Sequence, residues 1–160
     1  MRFGEATMKI TEMLKQEFIL EELQTGSKRE ALAELVGVFA RGNIRSDPEA
    51  MLRVLLEREK LGSTGIGDGI AIPHGKLAGL GEMVIAFGRS RKGIDFEAMD
   101  GKPVHLISLL IAPENSAGQH LKALAKISRM MKDVAFRRNL LEAKTHDDLV
   151  RIIAEKDDET

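Results

Sequence analysis

Hydrophobic positions follow a helical spacing at both ends of the chain and a strand-like one in the middle. Ile10, Met13 and Leu14 form a short apolar stripe at helical spacing, followed by an extended segment at residues 18–20. Ser27-Lys28-Arg29-Glu30 has the form of a capping box, with Ala31, Leu32, Leu35, Val36 and Phe39 behind it on one face and Gly42 as the stop. Asp47-Pro48 predicts an N-cap with proline at the first helical position, opening a helix that carries Met51, Leu52, Leu55 and Leu56. Ten glycines then fall between residues 62 and 101, separating short β-type runs at 69–72, 83–87 and 104–112. Ser116-Ala117-Gly118-Gln119 reads as a second capping box before Leu121, Leu124, Ile127 and Met131. Thr145 opens a last helix with Leu149, Ile152 and Ile153. Helices, then strands, then helices predict an α/β architecture with helices covering a mixed sheet.

At 160 residues, with 43% hydrophobic and 31% charged side chains, the chain is expected to form a single domain over residues 1–160. Residues 1–7 read as a loose extension ahead of Met8. The 24 basic and 25 acidic side chains nearly cancel, and the aromatics are six Phe with no Tyr or Trp. That composition lacks the basic stripe and base-stacking platforms of a nucleic-acid binder. The longest apolar run, residues 107–112, is too short to cross a membrane, so no membrane insertion is expected. The N-terminus carries no signal-peptide pattern, and there is no cysteine to form disulfides or thiolate sites. A cytoplasmic protein is the expectation.

Chemistry then rests on four histidines and the charges near the glycine-rich segment. His146 sits in a cap position and reads as a solvated helix-start residue, and His105 in the run 104–112 as a partly buried, hydrogen-bonded one. His74, between Pro73 and Gly75, stands where a strand is expected to stop, on a rigid support with little bulk beside it. It is either an exposed reactive imidazole or an ordinary loop residue. His120 falls in the first turn of the helix expected after Ser116, where the helix dipole disfavours imidazolium. A neutral N–H donor and a plain exposed histidine are both open there. Arg58 ends the helix begun at Pro48 and either clamps an anion or interacts with its own helix terminus. The segment 61–69 is neither a Walker loop nor a dinucleotide fingerprint, and no Gly-x-Ser-x-Gly elbow or His-Glu-x-x-His motif is present. Neither a cofactor nor a metal is expected.

Taken together, Leu55-Leu56-Glu57-Arg58-Glu59, Gly62-Ser63-Thr64-Gly65 and Gly69-Ile70-Ala71-Ile72-Pro73-His74-Gly75-Lys76 resemble the enzyme IIA domains of the phosphotransferase system, of the mannitol, fructose and nitrogen-regulatory type. Residues 103–113 and His120-Leu121 extend the resemblance over residues 10–153. It implies a mixed β-sheet flanked by helices on both sides. It implies that His74 accepts a phosphoryl group from a phosphorylated HPr-like carrier, that His120 hydrogen-bonds the phosphohistidine and that Arg58 lies beside the phosphoryl group. A regulator that acts on target proteins through its phosphorylation state is the expected role, favoured by the lack of an attached IIB or IIC module. The alternatives are a sugar-transport relay to a IIB cysteine and a binding module that is never phosphorylated. Asp68 stands where related sequences often carry Asn, placing a negative charge a few residues from His74 that would weaken phosphorylation unless it points away.

Overall fold

The computed structural model describes residues 8–160; the expected loose extension, residues 1–7, lies outside the described residues. Its centre is a mixed six-stranded sheet. The strands are β1 (Ile19–Leu20), β2 (Gly65–Gly67), β3 (Ile70–Ala71), β4 (His74–Leu77), β5 (Val84–Ile94) and β6 (Val104–Pro113). The order is β1-β5-β6-β3-β2, and β4 also pairs with β6. β5 and β6 run antiparallel, whereas β1 on β5 and both β3 and β4 on β6 run parallel. The helices are α1 (Lys28–Gly37), α2 (Pro48–Lys60), α3 (Ala117–Lys132), α4 (Val134–Glu142) and α5 (His146–Glu159).

The two faces of the sheet are covered by different helices. A side chain at Gly88 would strike Leu23 and Leu35 of α1, so that face of β5 carries α1. On the other face Ile85, Phe87 and Ser108 pack with Ile127, Phe136 and Ile153 from α3, α4 and α5. β6 and the first half of β5 are buried almost throughout, which explains the nearly continuous apolar runs there. Among the described residues, no helix is long and apolar enough to cross a membrane.

Most caps form where the sequence places them. The side chains of Ser27, Asp47 and Thr145 accept from the amides of Glu30, Glu49 and Asp148. Ser116 does not: its hydroxyl donates to the Pro113 carbonyl at 2.8 Å and leaves the start of α3 uncapped by a side chain. The apolar stripe of α3 is also shifted. Leu121 is exposed, and the buried positions are His120, Ala123, Lys126, Ile127, Met130 and Met131. A polar residue therefore takes the inward place in the first turn.

The expected first helix is only a 3₁₀ turn, Ile10–Glu12. It is held by buried Asp157, which accepts from the Ile10 and Thr11 amides and pairs with Lys126 Nζ at 2.6 Å. Arg89, in a basic run of the sequence, is fully buried in β5 and donates to the Leu140 and Ala143 carbonyls at the end of α4. A helix C-terminus is a favourable place for a cation.

Candidate functional site

His74 does not end a strand, as the sequence suggests, but begins one. β3 and β4 are two pieces of one interrupted strand on the same edge of β6. Ile70 pairs with Leu106, Ala71 with Ile107 and His74 with Leu110, so the register is the same on both sides of the break. Pro73 cannot donate to a ladder, but its carbonyl accepts from the Leu110 amide at 2.9 Å and keeps the two pieces aligned. His74 is therefore held by a sheet and stays half-buried.

The imidazole is oriented by its own backbone. His74 Nδ1 lies 2.9 Å from the Ile72 carbonyl oxygen. A carbonyl only accepts, so Nδ1 carries a proton, and in the neutral imidazole the lone pair is on Nε2. This is the arrangement a nucleophilic imidazole requires.

Alternation along β4 sends Gly75 to the α2 face, where a side chain would meet Val54 at 3.1 Å, and sends His74 and Lys76 to the opposite face. There α3 brings in His120. The two rings meet edge to face, with centroids 5.6 Å apart and planes at 81°. His120 is 5% exposed, and its Nδ1 is buried without a hydrogen-bond partner among the described residues. Burial, then the neighbouring His74 and Lys76, push its pKa below the ordinary 6.5. His120 is thus a neutral imidazole, as its place in a first helical turn suggests. A buried N–H without a partner is costlier than a bare lone pair, so the proton belongs on Nε2, which makes that nitrogen a donor.

Arg58 lies on α2, one turn beyond Val54 and half-buried. Its Nη1 donates to the Gly62 carbonyl at 2.9 Å, and no hydrogen bond joins it to His74 among the described residues. Structure thus brings His74 and His120 together and leaves Arg58 at the end of its helix, engaged with the loop that follows.

Lys76 is a neighbour of both histidines that sequence reasoning missed. The His74-x-Lys76 spacing carries that information only once β4 is known to be a strand. Asp68 is remote. It occupies a left-handed turn position (φ 58°), and the adjacent Gly69 carbonyl bonds the His105 amide, whereas His74 pairs with Leu110. At about 3.3 Å per residue those levels of β6 are about 16 Å apart, beyond a Debye length at physiological salt.

The remaining histidines are satisfied. His105 Nδ1 donates to the Ser90 carbonyl at 2.8 Å, and His146 Nε2 to that of Gln16 at 2.9 Å. Among the described residues, no three His, Asp or Glu side chains converge as metal ligands do.

The family described as "Phosphoenolpyruvate-dependent sugar phosphotransferase system, EIIA 2" matches residues 12–156. A nitrogen regulatory protein of Bradyrhizobium diazoefficiens is 42% identical over 147 residues, covering 92% of this chain and 95% of the relative. The fructose-specific EIIABC component of Bacillus subtilis is 39% identical over 94% of this chain, which spans only 24% of that longer protein. The crystal structure of the nitrogen regulatory protein IIA-Ntr from Neisseria meningitidis superimposes with a TM-score of 0.83 at 36% identity, covering 90% of this chain and 98% of that one. Sequence and fold agree: the chain belongs to the EIIA 2 family of the phosphoenolpyruvate-dependent sugar phosphotransferase system.

Proposed function

We propose that this protein carries a phosphoryl group on Nε2 of His74, accepted from a phosphorylated HPr-like carrier, and that its phosphorylation state regulates the proteins it binds. The observation that carries the reading is the 2.9 Å bond from His74 Nδ1 to the Ile72 carbonyl, which leaves the Nε2 lone pair free beside a neutral His120.

The Nε2 lone pair attacks the phosphorus of the donor phosphohistidine. The bond between phosphorus and the donor nitrogen breaks, and its electron pair stays on the donor imidazole. Such a transfer requires alignment and neutralisation of the equatorial oxygens more than covalent chemistry by the protein. In this reading His120 Nε2–H donates to one of those oxygens, and Lys76 supplies positive charge on the same face. Arg58 joins them by exchanging the Gly62 carbonyl for the phosphoryl group, a stronger, charged acceptor.

The regulatory role is supported by the relatives named for nitrogen regulation. The similarity to a fructose-specific component supports a second reading, a relay that passes the group to a IIB cysteine. Incubating the protein with phosphorylated HPr-like carrier and reading intact mass tests the central claim. Wild type should gain one phosphoryl group and the folded His74→Ala variant none. Full labelling of that variant would overturn the assignment.

A further inference from the structure

Glu59 is buried and charged, and the transfer described above makes no use of it. It pairs with Lys28 Nζ at 3.1 Å, both side chains being largely withdrawn from solvent. It also accepts from the Thr64 amide at 3.1 Å and from the Thr64 hydroxyl. The contacts continue from Thr64. Its carbonyl accepts from the Ile72 amide at 3.1 Å, and the Ile72 carbonyl accepts from His74 Nδ1 at 2.9 Å. An unbroken run of hydrogen bonds therefore joins the carboxylate of Glu59 to the ring nitrogen that sets the tautomer of His74.

The chain between these points could not hold this geometry by itself. Gly62, Gly67, Asp68 and Gly69 all have positive φ, so the segment after α2 is built from conformations that glycine reaches easily and leaves as easily. Ladder pairing of β3 with β6 stops at Ala71 and resumes at His74, leaving Ile72 in the gap. With its amide held by Thr64, Ile72 can aim its carbonyl at His74. Glu59, on the last turn of a long helix, is the rigid point to which Thr64 is tied.

We propose that Glu59 is a positioning residue for His74. Through Thr64 it fixes the Ile72 carbonyl, and that carbonyl selects the Nδ1–H tautomer with the lone pair on Nε2. The contact is mechanical: the amide and carbonyl of Thr64 belong to different peptide groups, so position and not charge is transmitted. Without it, His74 relaxes toward the mixture of a free neutral imidazole, in which the proton prefers Nε2, and the nucleophilic form becomes the minor one. The consequence for transfer rests on His74 being the phosphoryl acceptor, whereas the consequence for the tautomer does not.

The test uses the full-length, ¹⁵N-labelled protein without carrier, at alkaline pH, where imidazole ¹⁵N shifts report the tautomer directly. In Glu59→Leu, His74 should lose its Nδ1–H signature while His105 keeps its Nδ1–H and His146 its Nε2–H signature. The rate of phosphoryl uptake at saturating carrier should fall roughly tenfold to a hundredfold, with half-saturation unchanged. Glu59→Gln, whose one amide oxygen can still accept from the Thr64 amide while its NH2 donates to the Thr64 hydroxyl oxygen, should restore the signature and most of the rate relative to the leucine variant. A Glu59→Leu protein that unfolds cooperatively yet retains the His74 signature overturns the proposal. If that variant does not fold, Thr64→Val decides, since it deletes only the hydroxyl contact: a shift toward Nε2–H supports the proposal and an unmoved signature overturns it. Labelling of His74→Ala would remove the phosphoryl reading while leaving the tautomer result standing.

Discussion

His74 and His120 meet edge to face at 5.6 Å, and they are held in opposite ways. The first is anchored through Nδ1 to a backbone carbonyl, and the second has its Nδ1 buried with no partner among the described residues. Each arrangement leaves Nε2 as the working nitrogen, a lone pair on His74 and an N–H on His120. In the proposed transfer, the first would accept phosphorus and the second would donate to its oxygens.

His120→Ala should slow phosphoryl uptake without abolishing it. Removing one preorganised donor to developing charge costs about 3 kcal/mol, or about two orders of magnitude in rate. Rapid-quench labelling measures this, and an unchanged rate would remove His120 from the transfer step.

Lys76 should hold the titration of His120 down. Burial, His74 and Lys76 depress its pKa, in that order. Lys76→Gln should therefore raise the midpoint seen by NMR while leaving it below the ordinary value. In wild type the depressed pKa gives a definite sign for stability. Above pH 6.5 neither state takes the proton; as pH falls below 6.5 the unfolded chain protonates first, so stability declines until the folded pKa is passed. Denaturant titrations at several pH values should show that decline, weakened in a His120→Gln variant.

Arg58→Lys should be clearly impaired. Lysine keeps the charge but cannot use a planar fork, and a lost charged hydrogen bond of about 1.5–3 kcal/mol corresponds to roughly tenfold or more in rate. Wild-type transfer by the lysine variant would confine Arg58 to its contact with Gly62.

Asp68→Asn should change uptake by less than about twofold, because at the separation set by the β6 register the charge is screened. A large gain in rate would mean that the turn bearing Asp68 approaches His74 during transfer.

Asp157 should govern acid stability far from the site. Burial alone would raise its pKa, but hydrogen bonds from Lys126, Thr11 and Ile10 outweigh that and lower it. Its contribution is thus present above the ordinary 3.8 and is lost as pH falls through the folded pKa. Asp157→Ala leaves buried Lys126 its contacts to the Met8 and residue-157 carbonyls but removes its counter-charge, and should cost about 3–5 kcal/mol in chemical denaturation at neutral pH. A loss below 1 kcal/mol would show that Lys126 finds water or another partner.

Much of this protein is determined locally. The caps at Ser27, Asp47 and Thr145, the apolar runs that became β5 and β6, and the Pro-His-Gly setting of His74 are short-range features, because each depends on residues within a turn or a strand. The rest was decided by contacts distant in sequence. Ser116 fails as a cap because the Pro113 carbonyl competes for its hydroxyl, and His120 displaces Leu121 from the inward position because the end of β6 lies beneath it. His74 opens a strand only because β6 offers a continuous edge on both sides of Pro73. Glu59 reads in the sequence as one more charge at a helix end. It becomes an anchor for Thr64 only when folding withdraws it from water and brings Lys28 beside it, since a carboxylate without solvent must find its partners within the protein.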